Sequence, residues 1–287
     1  MMRKTYVAMM FCMLVLSVLY AAEGVSAEMQ KPDLQVGDYW EYDVVYSSDA
    51  TGTAKWEVKS EDSITINGTN YYVIVMEYNE SSYGESYPAG PIQTNGVFYA
   101  TLSDHSMVKI VINSTNDFQL SQIVSTTETL SSDNQDHWPL KVGNSWRTTR
   151  KTTNIWSITN LNTGSISYNN YTSTSETYTV CEGITNVETP AGIFECYIQR
   201  SLSGYPIEEN DIGNSSYSYY SPKVGSYVKQ VQYIDGEISY VYNLTSYEYS
   251  ASVSSGGATD KGRGVPGFEL LFAVCAIALI LFWKRKR

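Results

Sequence analysis

Two stretches of this chain are uniformly apolar, and the long segment between them alternates. Val7–Tyr20 is one apolar run and Phe268–Trp283 the other, with Glu269 the only charge in the second. Between them apolar and polar positions change places every second residue. Tyr72, Ile74 and Met76 share one side of an extended segment, and so do Phe194, Cys196 and Ile198. That period puts a single apolar face on a strand. No interior segment repeats every 3.6 residues. Asp117–Leu130 could hold a short helix, but its Ser/Thr content reads better as a linker. The predicted fold class is all-β and antiparallel, with a signal helix and a membrane helix at the two ends.

The strands are punctuated by turn chemistry, and the punctuation repeats. Leu34-Gln35-Val36-Gly37-Asp38-Tyr39-Trp40 matches Leu140-Lys141-Val142-Gly143-Asn144-Ser145-Trp146 at an offset of 106. Trp56-Glu57-Val58 matches Tyr178-Thr179-Val180 and Tyr72 matches Phe194 at 122, and Ser106–Lys109 matches Ser226–Lys229 at 120. Blocks in one order, with offsets differing by loop-sized amounts, predict a tandem duplication. Each unit opens on a Val-Gly-Asp/Asn turn, where Gly supplies a positive φ. A hairpin follows: Trp56–Ser60 with Tyr71–Tyr78 around Asn67-Gly68, and Glu176–Glu182 with Ile193–Arg200 around Pro190-Ala191-Gly192. Aromatic strand pairs close each unit, Gly96–Leu102 with Met107–Ile112 and Tyr217–Ser221 with Tyr227–Tyr233. A last pair turns at Asp235-Gly236. The predicted division is 1–27 signal peptide, 28–116 unit 1, 117–137 linker, 138–249 unit 2, 250–264 Ser/Gly linker and 265–287 membrane segment. The units form two small domains or one sheet system with pseudo-twofold symmetry.

The ends predict a location. Arg3 and Lys4 precede the first apolar run, and Val25-Ser26-Ala27 offers small residues for cleavage after Ala27, the pattern of a secretory signal. An uncleaved signal anchor is the alternative. The second run is a little short of the ~20 residues of a full span, and the basic quartet Lys284–Arg287 behind it favours a cytoplasmic end. Pro266-Gly267-Phe268, the apolar run and the basic end together resemble the PGF-CTERM tail of archaeal surface proteins. That resemblance implies cutting by an archaeosortase-like enzyme and transfer to a membrane lipid. A plain transmembrane anchor is the alternative, and a short Ser/Gly segment stands where the family has a long Thr-rich stalk. In unit 2, the Thr189–Cys196 hairpin and Tyr219–Lys229 resemble uncharacterised DUF3108-like envelope proteins, which implies a curved antiparallel sheet or partial barrel.

Charge narrows the partners. Six of the 19 Lys/Arg and two of the 30 Asp/Glu lie in the end segments, which leaves the middle at a net −15. Such a surface repels phosphate backbones, so no nucleic-acid partner is expected. Surface-layer components are the expected neighbours. With Cys12 in the signal and Cys275 in the tail, Cys181 and Cys196 form an even exterior pair. One disulfide is predicted from them, or else two buried thiols. The bridge would close a 15-residue loop and contribute roughly 3 kcal/mol. Asn67, Asn79, Asn113, Asn170, Asn214 and Asn243 open Asn-X-Ser/Thr sequons, candidate glycosylation sites on an exported chain.

Chemistry leaves little trace. His105 and His137 have no partner at ligand spacing. Ser106-x-x-Lys109, Ser226-x-x-Lys229 and Ser132-Asp133-Asn134 match elements of penicillin-recognising enzymes, where Ser and Lys share a helix face. Both copies here lie on β-patterned stretches, and no Lys-Thr-Gly follows. Glu208-Glu209-Asn210-Asp211 lacks the alternation of a calcium loop. No catalytic, cofactor-binding or metal-ligating residue is predicted, and no cofactor. Trp40, Trp56, Trp138, Trp146, Trp156, Tyr217, Tyr219 and Tyr220 could line a cleft. The leading expectation is a non-enzymatic, membrane-anchored binding or scaffolding protein of the archaeal envelope. A β-sheet carrier of a lipid or apolar ligand, lined by residues such as Ile74, Met76, Phe194 and Ile198, is one alternative. A secreted carboxylate-dependent hydrolase is the other.

Overall fold

The structure, a computed structural model, describes residues 29–47, 50–83, 92–116, 121–134, 138–204 and 214–250. The signal segment, the Ser/Gly linker after Ser250, the sorting residues Pro266, Gly267 and Phe268, His137 and the Glu208–Asp211 loop lie outside them.

Six strands make the first half: β1 (Tyr39–Tyr46), β2 (Thr51–Ile66), β3 (Thr69–Tyr83), β4 (Ile92–Thr101), β5 (Met107–Asn116) and β6 (Ser121–Asn134). Six make the second: β7 (Ser145–Asn160), β8 (Ile166–Thr189), β9 (Gly192–Gly204), β10 (Ser215–Ser221), β11 (Ser226–Ile234) and β12 (Glu237–Glu248). Each strand pairs antiparallel with its sequence neighbours, and β12 returns to pair with β1, so the sheet closes into one barrel. The expected curved sheet or partial barrel is therefore a complete one. Closure gives every strand two neighbours and removes the exposed edges of an open sheet. The predicted linker 117–137 contains β6, which pairs with β5 on one side and β7 on the other.

The duplication is written in hydrogen bonds. Gly37 N–H donates to Val58 O (2.9 Å), and Val58 N–H to Asp38 O (2.8 Å). In the second half Gly143 N–H donates to Cys181 O (2.8 Å), and Cys181 N–H to Asn144 O (2.9 Å). Both glycines have positive φ, 99° and 88°, where an L side chain is strained. A bulge follows each motif, between Val58 and Ser60 and between Cys181 and Gly183. Val58 thus corresponds to Cys181, an offset of 123 rather than the expected 122. Tyr71, not Tyr72, corresponds to Phe194. The one-residue error matters because it exchanges the two faces of a strand.

The ladder carries one inward face around the barrel. Trp40, Tyr42 and Val44 on β1 continue into Ala54 and Val58 on β2, Ile74 and Tyr78 on β3, and Ala100 on β4, all buried. They form the main core cluster with Leu244 and Val228. The homologous positions of the second half, Cys181, Tyr197 and Tyr220, form a separate cluster with Met29 and Leu140. Met29 and Leu140 pair as an isolated bridge that lays the chain ahead of β1 beside the chain ahead of β7. Beyond the bulges the two long hairpins bury their other face. Val73, Val75 and Ile66 cluster with Val108. Cys196 and Val228, the equivalents of Val73 and Val108, join the main core instead, with Val187 and Phe194. There Ala191 N–H donates to Leu244 O, and Phe194 meets Tyr247 edge-on. Tyr72, expected to share a buried face with Ile74 and Met76, stands 75% exposed near the hairpin tip.

Candidate functional site

Where the two halves of the barrel meet, the inward aromatic residues of β1–β3 and β11–β12 leave a gap of about 300 Å³. Its walls are Trp40 and Tyr42 from β1, Trp56 from β2, Met76 from β3, Tyr227 and Gln230 from β11 and Tyr242 from β12. Leu34 and the Gly225-Ser226 turn complete it. Alternation puts each strand residue among them on the inward face, and closure of β12 on β1 brings them together. Gly225 is required at the turn. Its φ is +67°, and a Cβ there would lie 2.4 Å from the Tyr249 ring.

The polar tips of Trp40, Tyr42 and Tyr242 are tied to the protein. Trp40 Nε1–H donates to Val224 O (2.8 Å), and Tyr42 O–H to Tyr227 O (2.8 Å). Tyr242 O–H donates to Glu80 Oε2 (3.2 Å) and lies 3.0 Å from the Tyr78 hydroxyl. Trp56 is wedged between Tyr78 and Phe98, with ring centroids 4.6 and 4.5 Å away. Burial pushes the Tyr42 phenol well above its ordinary value, and the Tyr78 and Tyr242 phenols likewise. All three remain neutral donors at any physiological pH.

Glu80 sits behind this wall. Three phenols converge on its carboxylate: Tyr46 on Oε1, and Tyr78 and Tyr242 on Oε2. Desolvation pushes its pKa up, opposed by the Tyr242 hydrogen bond. The described ion pairs do not include it. On the inward face of the described strands, Glu80 and Arg150 are the charged residues that are not exposed. Arg150 lies on β7, its Nε has no hydrogen-bond partner among the described residues, and burial lowers its pKa. A second concavity of about 460 Å³ reaches Glu80 from outside and is lined mainly by polar side chains, including Glu41, Lys55, Asn79 and Gln93.

Two solved bacterial structures show a distant similarity to the chain. One is a candidate lipoprotein of Parabacteroides distasonis, 10% identical, with a TM-score of 0.35. Another is a candidate exported protein with a YmcC-like fold from Bacteroides fragilis, 13% identical, with a TM-score of 0.34. Each alignment covers 77% of this chain and 100% of the other. No protein-family model and no curated protein matches the chain.

The disulfide is a correction. Cys181 and Cys196 are both buried free thiols. Cys181 stands opposite Gln199 and Cys196 opposite Thr185, with the bulge between. Gln199 is three residues beyond Cys196 on β9, so the pair is about 10 Å apart along the ladder at ~3.3 Å per residue. A disulfide needs Cα atoms within about 7 Å. That odd separation along β9 also puts the two side chains on opposite faces, in different core clusters. Burial pushes the Cys196 thiol up to about 12. An even number of exterior cysteines suits a bridge, but it equally suits two core side chains, the alternative that holds here. Their counterparts are Val58 and Val73, two core positions, so the cysteines are core side chains.

The sequons present one pattern. Asn79, Asn113, Asn170 and Asn243 lie on outward positions of β3, β5, β8 and β12, Asn67 in the β2–β3 turn and Asn214 just ahead of β10. All are exposed except half-buried Asn243. Of the aromatic candidates, Trp40 and Trp56 line the cavity, while Trp138 and Trp146 pack against the Cys181 cluster. Tyr217 pairs edge-on with Tyr233. Met76 is on the cavity wall, and Ile74 and Phe194 are in the surrounding core. Lys109 is bridged to Glu128 on the next strand at 2.7 Å, and Ser106 caps the β4–β5 turn through Asp104 at 2.7 Å. His105 holds a left-handed turn position, φ 59°. Among the described residues no group of three or more His, Cys, Asp or Glu converges on a metal-sized site. Glu80 was missed by sequence reading. Its signal was the pairing of Tyr78-x-Glu80 with Tyr240-x-Tyr242 and Tyr42-x-x-x-Tyr46, visible only once the barrel closure is known.

Proposed function

We propose that this chain is an exported protein held at the outer face of a cell membrane, and that its barrel binds a small, mostly apolar ligand. The observation that carries the binding reading is the aromatic cavity, in which the polar tips of Trp40, Tyr42 and Tyr242 are already satisfied. Such a site offers hydrocarbon and ring surface rather than a catalytic constellation. The two apolar runs, with basic residues before the first and after the second, support export and anchoring. The outward placement of the sequons fits glycans on that surface. Pro266-Gly267-Phe268 is the proposed sorting signal, with an archaeosortase-like enzyme and a membrane lipid as partners and surface-layer components as neighbours. At about 300 Å³ the cavity is at the low end of ligand sites. That size favours a ligand smaller than a diacyl lipid over the lipid-carrier alternative.

Two measurements separate the parts. Mass spectrometry of native membrane fractions should recover no peptide from the segment after Phe268 if the tail is cut, and an intact tail means a plain anchor. Tryptophan fluorescence titrated with cyclohexanol should change saturably, and Met76→Trp, which fills the cavity, should abolish the change. A flat response in the parent protein overturns the binding reading.

A further inference from the structure

We propose that the ligand is a small organic cation of the methylated-ammonium class, caged by Trp40, Tyr42, Trp56, Tyr227 and Tyr242, with Glu80 as the balancing charge one hydrogen bond behind Tyr242. This inference rests on the cavity being a ligand site and names what that site prefers.

Three features point to a cation. First, five aromatic rings bound one small space, and ring faces attract cations through their quadrupole, Trp most strongly. The indole N–H of Trp40 and the hydroxyls of Tyr42 and Tyr242 are spent on protein acceptors, so those rings meet a ligand through carbon. Second, the charge is unbalanced. No Lys or Arg lines the cavity, and the partners of Glu80 are the neutral phenols of Tyr46, Tyr78 and Tyr242. A partly buried carboxylate supported by dipoles alone is costly unless a cation comes near. Tyr242 both lines the cavity and donates to Glu80, so it passes the carboxylate's field to the ligand. Third, polar contacts are few. Ser226 and Gln230 are the polar side chains on the wall, too few for the ring of hydroxyls that a sugar presents. An anion would face Glu80 without compensation. The net −15 of the middle segment also raises the local concentration of cations.

Neutral and charged ligands of one shape decide the matter. Choline and 3,3-dimethylbutan-1-ol differ by a nitrogen cation in place of a quaternary carbon. Calorimetric titration of the detergent-solubilised full chain should show choline bound at least tenfold more tightly. Glu80→Gln should reduce choline affinity about tenfold. Tyr242→Phe, which keeps the ring and cuts the link to the carboxylate, should narrow the preference as well and serves if the first variant does not fold. Equal affinity for the two probes overturns the cation assignment and leaves the apolar-cavity reading standing. A preference that survives both variants removes Glu80 from the site. Binding of neither probe, together with a flat cyclohexanol titration, overturns both readings.

Discussion

At the scale of single residues, Glu80 is where the barrel departs from simple core packing. An apolar residue would fill its position on the inward face, and a carboxylate there must be desolvated. The groups packed around it are Tyr46 on β1, Tyr78 on β3 and Tyr240 and Tyr242 on β12, with Lys55 and Glu41 lining the outer concavity that reaches it. Its pKa is raised in the folded state, with desolvation the largest cause. The native protein therefore holds the Glu80 proton more tightly than the unfolded chain does. By linkage, stability from this group is greatest below the ordinary carboxylate range and falls as pH rises through the raised folded value. Glu80→Gln removes the ionisation and keeps an oxygen for the phenols. The variant should melt a few degrees above the parent at pH 8 and close to it at pH 4, measured by circular dichroism. A gap that does not change with pH would mean that the carboxylate is not desolvated in solution.

Elements carry the evidence of duplication, and their caps show where the halves have diverged. Asp38 is fully buried, and its carboxylate accepts N–H groups from Gln35 (2.9 Å) and Ser250 (2.8 Å). Its counterpart Asn144 is exposed, although the backbone bonds around it are the same. Hydrogen bonds to a charged acceptor are worth roughly 1.5–3 kcal/mol, and losing one leaves a buried donor unsatisfied. Asp38→Ala should destabilise by about 2–3 kcal/mol, and Asn144→Ala by no more than about 0.5 kcal/mol, read from urea midpoints at constant slope. Equal losses would deny the first cap its special place. Turns of this kind were legible in the sequence because they need unusual backbone. Asn67 and Gly68 both adopt positive φ, as do Asp235 and Gly236, and few residue types tolerate that. The strands β6 and β7 and the first half of β8 were not legible. Their inward positions hold hydroxyl and amide pairs, Thr127 with Asn154 and Thr152 with Ser173, so apolar alternation is missing where the interior is polar. The cavity was half legible. Trp40, Trp56 and Met76 stood out as apolar strand residues, but their meeting with Tyr227 and Tyr242 depends on contacts across about 150 residues or more of sequence, which no local pattern encodes.

For the whole molecule, closure is the property that neither half can have alone. In the complete barrel β6 is sealed by β7, and β12 by β1. A chain cut to residues 28–137 would present β1 and β6, strands of 8 and 14 residues, as open edges. It would also uncover Trp40, Tyr42 and Val44, which pack on Val224, Val228 and Leu244 of the second half. Unpaired edges flanking an apolar face recruit further strands. Because the two halves share topology and bulge positions, a second copy of the first half offers a partner of nearly the right shape. The isolated half should therefore form a dimer or larger species by light scattering, with β-sheet circular dichroism and weakened near-ultraviolet signal. A folded monomer with native-like aromatic signal would show that each six-stranded unit is self-sufficient, and that closure joined two stable domains rather than completing one.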